Sequence, residues 1–328
     1  MASITALHPM HEHGAKLAII AICTYKRPKM LLKCLMSLLA QEAPPNVILH
    51  IVVVDNDARE SGKQSYIRFS NLCPFGSHYI VRAKRGIAAA RNAAREYAIG
   101  ADADYLLFID DDEEAGPQWA NGLLHEEYLD TPILYGWPVF DYPESVPEWA
   151  RPKSSKAPKE GEARFVGTGN MRISKAAFKH VAFNEDIGLS GGEDQEFHTR
   201  AELLGFDAKF TRRAITFEHA HVERYTIASI LSRTHWVAAA NMRANFIKHG
   251  RTSTIAKKLP SIAFCGPIAL VTLAFGATQF AFQSAFGMTA TGSRRRMLRA
   301  AKIVARSLGY WDAINSRIPQ SYARTVGE

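Results

Sequence analysis

Two kinds of apolar pattern alternate along the N-terminal part of the chain. Leu17-Ala18-Ile19-Ile20-Ala21-Ile22 is an unbroken apolar run, residues 48–54 form a second interrupted only by His50, and Tyr105-Leu106-Leu107-Phe108-Ile109 is a third. Runs without polar alternation predict strands buried on both faces, the habit of parallel sheets. Between them the apolar positions fall at helical spacing. Leu31, Leu32, Leu35, Leu38 and Leu39 follow Pro28, which suits a first helical turn, and Pro44-Pro45 closes the segment. Residues 79–81 read as a further strand, and 87–99 as an Ala-rich helix that follows Gly86 and carries Arg91, Asn92 and Arg95. This strand–helix alternation predicts an α/β fold with a doubly wound, mostly parallel sheet.

Three of the predicted strands end in a polar cluster. The first breaks at Cys23-Thr24-Tyr25-Lys26-Arg27-Pro28 and the second at Asp55-Asn56-Asp57, while 105–109 runs straight into Asp110-Asp111-Asp112-Glu113-Glu114. Open α/β sheets bind ligands in the crevice beyond the carboxyl ends of their strands. Carboxylates crowded at such an edge repel one another unless a cation sits among them. A hard divalent cation takes carboxylate and phosphate oxygens together. An aromatic ring and carboxylates on one edge also suit a nucleotide: the ring stacks on a base, and a carboxylate accepts from a base N–H or a ribose hydroxyl. No Gly-x-Gly-x-x-Gly and no Walker loop is present, so neither dinucleotide nor P-loop binding is supported.

Further along, Gly167-Thr168-Gly169-Asn170 offers side-chain-free positions where backbone can approach a ligand, and Met171-Arg172-Ile173 continues as a strand. Gly191-Gly192-Glu193-Asp194 opens a helix with Phe197, Ala201 and Leu204 on one face and Gly205 at its end. Phe217-Glu218-His219-Ala220-His221-Val222-Glu223-Arg224 holds two histidines two apart, which on a strand point the same way. Taken together, these pieces in this order resemble the family 2 glycosyltransferases of the GT-A fold, over about residues 17–250. Within the family they are most similar to the bacterial exopolysaccharide branch, the succinoglycan type.

The resemblance implies a metal-dependent, inverting glycosyltransferase that moves a sugar from a nucleotide-diphospho-sugar, read as UDP-linked, to a glycan or lipid-linked acceptor in polysaccharide synthesis. It implies nucleotide-sugar contacts at Thr24, Tyr25, Arg27, Asp55, Arg91, Asp110, Asp111, Gly169 and Asn170. It implies that Mg²⁺ or Mn²⁺ is held by Asp112 and Asp110, with His219 or His221 as a late ligand. Asp194 matches the general base, with Glu193 as the neighbouring acid that binds acceptor or takes the role. Two other classes remain open: a catalytically silent nucleotide- or sugar-binding module, and a nucleotidyltransferase. The acids Asp110, Asp112 and Asp194 argue against the first, and the glycine-free stretch 23–28 against the second.

Composition divides the chain into a neutral body and a basic tail. The net charge is +8, yet from Arg251 onward 11 Lys and Arg face only Asp312 and Glu328, which leaves 29 basic and 30 acidic residues before it. A nucleic-acid enzyme would carry basicity on its body, so no nucleic-acid partner is expected. Cys23, Cys34, Cys73 and Cys265 show no metal spacing and fit a reducing, cytoplasmic compartment. Residues 1–16, with His8, His11 and His13, read as a flexible tail, 17–250 as the catalytic domain and 251–328 as a helical appendage that associates with membrane. Residues 259–293 contain no Asp, Glu, Lys or Arg, between Lys257-Lys258 and Arg294-Arg295-Arg296. Basic flanks on both sides favour an interfacial or shallow re-entrant helix on the inner face of the cell membrane over a single crossing. The competing cover for this stretch is the domain itself or a second copy in a homo-oligomer. Residues 131–165 interleave Trp137, Tyr142 and Trp149 with prolines and with Lys153, Lys156 and Lys159, an acceptor-side loop in which the rings form sugar platforms or fill a satellite core.

Overall fold

The computed structural model describes residues 14–152, 158–163, 165–187, 189 and 191–317. The expected 1–16 tail, except for its last residues, and Lys153 and Lys156 lie outside them.

The first part of the chain folds as strand β1 (Lys16–Thr24), helix α1 (Pro28–Leu38), β2 (Val47–Asp55), α2 (Lys63–Ser70), β3 (Gly76–Val81), α3 (Ile87–Gly100) and β4 (Tyr105–Ile109). Then come β5 (Glu113–Ala115), α4 (Trp119–Leu123), β6 (Ile133–Asp141), β7 (Asn170–Ser174), α5 (Lys175–His180), α6 (Glu193–Leu203) and β8 (Ala208–His219). Helices α7 (Ile227–His249), α8 (Arg251–Ala263), α9 (Cys265–Ala285) and α10 (Thr291–Ile314) complete the described chain.

The strands form one sheet in the order β3-β2-β1-β4-β7-β6-β8-β5. β3, β2, β1 and β4 are mutually parallel, as the apolar runs predict. The rest of the sheet is mixed: β7 is antiparallel to β4 and β6, β8 is parallel to β6, and β5 is antiparallel to β8. Four of the seven strand pairings are thus parallel, three of them in the half that the apolar runs build.

The continuous runs are buried on both faces because helices cover both. Ile19, Ala21, Val52, Val54, Leu106 and Phe108 point to one side, where the alanines of α3 and Phe178 of α5 pack against them. Ile20, Ile22, Ile51, Val53, Leu107 and Ile109 point to the other, against Leu31, Leu35 and Leu38 of α1 and Trp119 of α4. Each such apolar side chain contributes about 1.5–3 kcal/mol on burial, so this double layer holds the β1, β2 and β4 ends in fixed register.

The helical part begins at Ile227, before the Arg251 boundary drawn from charge. Gly309 of α10 lies so close to α7 that a Cβ there would strike the His235 carbonyl. Gly276 of α9 admits Met297 of α10. Helix α9 runs unbroken through Gly276, Gln279 and Gln283. It is the one described helix long and apolar enough to cross a membrane by length and composition, with a mean hydropathy of 1.5 over its apolar window. Little of that window is buried.

The Pro-rich segment resolves toward packing. Tyr142 and Trp149 lie against a satellite core of Val146, Ala150, Ala220, Tyr225, Ile230 and Leu298. Trp137 belongs to β6 and meets Phe210 edge-on. These rings are engaged with protein, which agrees with the satellite-core alternative rather than with sugar platforms.

Candidate active site

Parallel pairing brings the carboxyl ends of β1, β2 and β4 to one edge. Beyond β4 the chain closes a tight turn, in which the Glu113 amide donates to the Asp110 carbonyl at 3.1 Å. Four successive acids are thereby folded into one turn. Glu113 starts β5, so the acid run is a built feature rather than a solvated tail. Gly169 lies beneath it. Its carbonyl accepts from the Asp110 amide at 3.2 Å, and a Cβ would stand 2.5 Å from Glu113 Oε1 and 2.8 Å from Asp110 Oδ2. Only glycine leaves room for both carboxylates.

Three arginines hold the acids. At the end of β1 the backbone turns at Lys26 (φ 54°), and Arg27 reaches Asp111 Oδ1 at 3.1 Å and Asp112 Oδ2 at 3.4 Å. Thr24 donates its hydroxyl to Asp111 Oδ2 at 2.7 Å. Arg224 donates to Asp112 Oδ2 and to Glu218 Oε1, each at 2.7 Å. Arg91, buried on α3, donates to Glu193 Oε1 at 2.7 Å and to Asp110 Oδ1 at 3.3 Å. One guanidinium thus spans the acid turn and the start of α6. Burial alone would depress its pKa, but the carboxylates of Asp110 and Glu193 outweigh this and raise it.

The acids outnumber these cations. Burial pushes the Asp111 carboxyl up to about 7; Arg27 opposes the rise and Asp112 adds to it. Burial likewise lifts Glu218 to about 7, with Asp112 adding and Arg224 opposing. Glu113 is raised well above the usual carboxylate range by burial and by Asp110, and its Oε2 has no hydrogen-bond partner. A further cation would relieve this excess, and an all-carboxylate donor set suits a hard divalent ion. No three His, Cys, Asp or Glu side chains among the described residues gather into a ready metal cage. The arrangement fits an ion held by one or two carboxylates and completed by substrate phosphates, the habit of Mg²⁺ sites.

Gly191 and Gly192 both take left-handed backbone (φ 76° and 88°) as the chain enters α6. Ala240 of α7 packs where a Gly192 Cβ would sit. This entry places Glu193 and Asp194 in the first turn. Glu193 is held by Arg91. Asp194 accepts from the Gln195 amide at 2.7 Å. Burial lifts the Asp194 carboxyl to about 6, helped by Glu193 and opposed by Arg91.

The remaining predicted residues divide. Tyr25 stands at the β1 end with the Arg85 guanidinium 4.8 Å from its ring centroid. Asp55 is fully buried: Oδ2 accepts from the Gly62 amide and the Tyr79 hydroxyl, both at 2.6 Å, and Oδ1 from the Asp57 amide at 2.9 Å. It shapes the loop after β2. Asn170 is buried too; it accepts from Trp119 Nε1 at 2.9 Å and donates to the Ala214 carbonyl at 3.0 Å, which fastens β7 to α4 and β8. The histidines do not share a strand face, because β8 ends at His219. That side chain is exposed and meets Glu114 at 2.9 Å and Asp141 at 3.5 Å. His221 caps a short 3₁₀ turn, Val222–Tyr225. Its pKa is lowered by burial and by Arg224, with Asp112 opposing. Sequence reasoning passed over Arg224 and Glu218. The signal was there only as charge beside the histidines.

The description "Glycosyl transferase family 2" matches residues 19–182 as a sequence family. Succinoglycan biosynthesis protein ExoM of Rhizobium meliloti (strain 1021) is 30% identical over 239 residues, covering 71% of this chain and 74% of the relative. Among solved structures, the mannosyltransferase PcManGT from Pyrobaculum calidifontis, in complex with GDP-Man and Mn²⁺, aligns over 90% of this chain and 86% of its own. Its TM-score is 0.58 at 16% identity, a likeness of fold.

Proposed function

The chain belongs to glycosyltransferase family 2, and we propose that it is an inverting, metal-dependent enzyme that takes its sugar from a nucleotide-diphospho-sugar. The observation that carries the reading is Arg91, which ties the acid turn to the start of α6 at 3.3 and 2.7 Å. The place for a metal-bound diphosphate and the place for a base therefore belong to one cleft. Asp112 and Asp110 would hold Mg²⁺ or Mn²⁺, with His221 better placed than His219 to assist. When bound, the ion neutralises charge that develops on the leaving nucleoside diphosphate.

The protein's own residues supply the rest. Tyr25 gives the base a ring, backed by Arg85, against the loop that Asp55 fixes. Thr24 and Arg27 hold Asp111 so that the turn keeps its shape. Gly169 lets the Asp110 and Glu113 carboxylates close over its backbone, which keeps the acid turn compact. Asp194 takes the proton from an acceptor hydroxyl as that oxygen bonds to the anomeric carbon and the bond to the diphosphate oxygen breaks. A carboxylate near pKa 6 is ionised at neutral pH and more basic than an exposed aspartate. A single displacement inverts the anomeric configuration.

We read the donor as UDP-linked and the acceptor as a lipid-linked or growing glycan, since the relative from Rhizobium meliloti is by its name a polysaccharide-biosynthesis protein. The exposed apolar α9 beside basic α10 supports reading the enzyme as held on the cytoplasmic face of a membrane. The test is a panel of nucleotide sugars with Mn²⁺, Mg²⁺ or EDTA, followed by hydrolysis and thermal shift. One sugar nucleotide should be hydrolysed slowly and only with metal; no response to any member would overturn the reading.

A further inference from the structure

Between α7 and α10 runs a groove of about 420 Å³ lined by Arg233, Thr234, Asn241, Lys302, Arg306 and Tyr310. Three cations share it and no carboxylate lines it. Among the described residues none of the three makes an ion pair. Lys258 of α8 stands by one of the lining rings, with its Nζ 5.5 Å from the Tyr310 ring centroid. Asp312, the acid of α10, lies elsewhere and is held by His235 at 2.9 Å. Burial and the charge of Arg306 lower the pKa of Lys302. Like charges gathered with no carboxylate paired to them among the described residues call for an anion with several acceptor oxygens, and threonine, asparagine and tyrosine beside them add hydroxyl and amide donors.

Two neighbours say what kind of anion. On one side, the charge of Arg233 acts on the Glu218 carboxyl, which shares Arg224 with Asp112. Asn241 follows Ala240, the residue that packs on Gly192 ahead of Asp194. The groove thus shares α7 with the residue that packs against the entry to α6. On the other side α9 packs against α10 and leaves Leu270, Val271 and Phe275 largely exposed. Arg296 of α10 stacks 4.5 Å from the Phe275 ring centroid, so cationic and apolar surfaces meet there. A free phosphate would use only the first of these surfaces. An amphiphile would use both.

We propose that this groove binds the phosphate or diphosphate of a lipid whose chain lies along α9, and that it thereby presents a lipid-linked acceptor to Asp194. The inference rests on the transferase reading for its purpose, but binding itself needs no donor and no turnover. The full chain, in mild detergent, is titrated with farnesyl diphosphate and with inorganic diphosphate by calorimetry. Farnesyl diphosphate should bind more tightly than inorganic diphosphate. The double variant Lys302→Gln/Arg306→Gln should weaken it about tenfold or more, the scale of lost charge-assisted hydrogen bonds. Asp112→Asn should leave it unchanged. Equal binding by the double variant overturns the site. Loss in Asp112→Asn moves the ligand to the acid turn and also overturns it. Inorganic diphosphate binding as tightly as the prenyl compound overturns the lipid as its source. Circular-dichroism melting of each variant guards against misfolding, with single Arg306→Gln as the milder substitution. If no sugar nucleotide is hydrolysed yet the double variant still loses farnesyl diphosphate, the transferase reading fails and the groove stands.

Discussion

At the start of α6 two acids compete for one arginine. Glu193 takes it, at 2.7 Å, and among the described residues the Asp194 carboxylate accepts only from the Gln195 amide. The Asp194 carboxyl, lifted to about 6, should report itself in the pH profile. As pH rises through about 6 the base becomes ionised, so kcat should climb and then level off, and a rate independent of pH between 5 and 7.5 would contradict the role. Asp194→Asn should lower kcat by about 10²–10⁴-fold with donor affinity unchanged. Stability runs the other way. A carboxyl raised in the fold contributes stability that is complete below its unfolded value and lost as pH rises through about 6. The Asn variant should therefore melt no lower than the parent at pH 8. A lower melting temperature would mark Asp194 as a helix-start residue instead. The acids at 110–114 were legible because five in a row after an apolar run are conspicuous. Arg224 was not, since its partner Asp112 lies 112 positions earlier and only the sheet brings them together. Asp55 read as a ligand contact, yet the structure surrounds it with three donors.

Elements with strong periodicity or unbroken apolar runs were readable. β1, β2, β4, α1 and α3 stand within a residue or two of where the pattern puts them. Helix α2 escaped notice because it buries only Ser65 and Phe69, too little for an apolar stripe. β8 ends at His219, so the common face that a strand would give the two histidines does not form. The mixed half of the sheet carries no sequence signature, because strand direction is set by which neighbour each strand finds. The junction of α6 with α7 is a further test at this scale. Gly192 has φ 88° and Ala240 against its Cα. Gly192→Ala should cost about 1–3 kcal/mol through strain and overpacking, read from urea unfolding, and should disturb transfer more than metal binding. A variant as stable as the parent would mean that α7 shifts freely and does not brace the site.

For the whole molecule, the sequence shows a neutral body and a basic, partly apolar tail, and α7, ahead of residue 251, packs against α10 of that tail. The exposed face of α9 with Arg294, Arg295, Arg296 and Arg299 beyond it predicts retention on vesicles containing phosphatidylglycerol. Retention should survive high salt, because apolar contact is not screened. Release by salt alone would mean that the contact is electrostatic and that α9 is covered by protein. The account as a whole depends on the acid turn holding a metal-bound diphosphate. Calorimetry of UDP, with GDP and dTDP in parallel, in the presence and absence of Mn²⁺ tests that most directly. The parent should bind one of them tightly only with Mn²⁺, and Asp112→Asn should lose that binding while its circular-dichroism spectrum is kept. Unchanged metal-dependent affinity in Asp112→Asn, or nucleotide binding indifferent to Mn²⁺ in the parent, would contradict it.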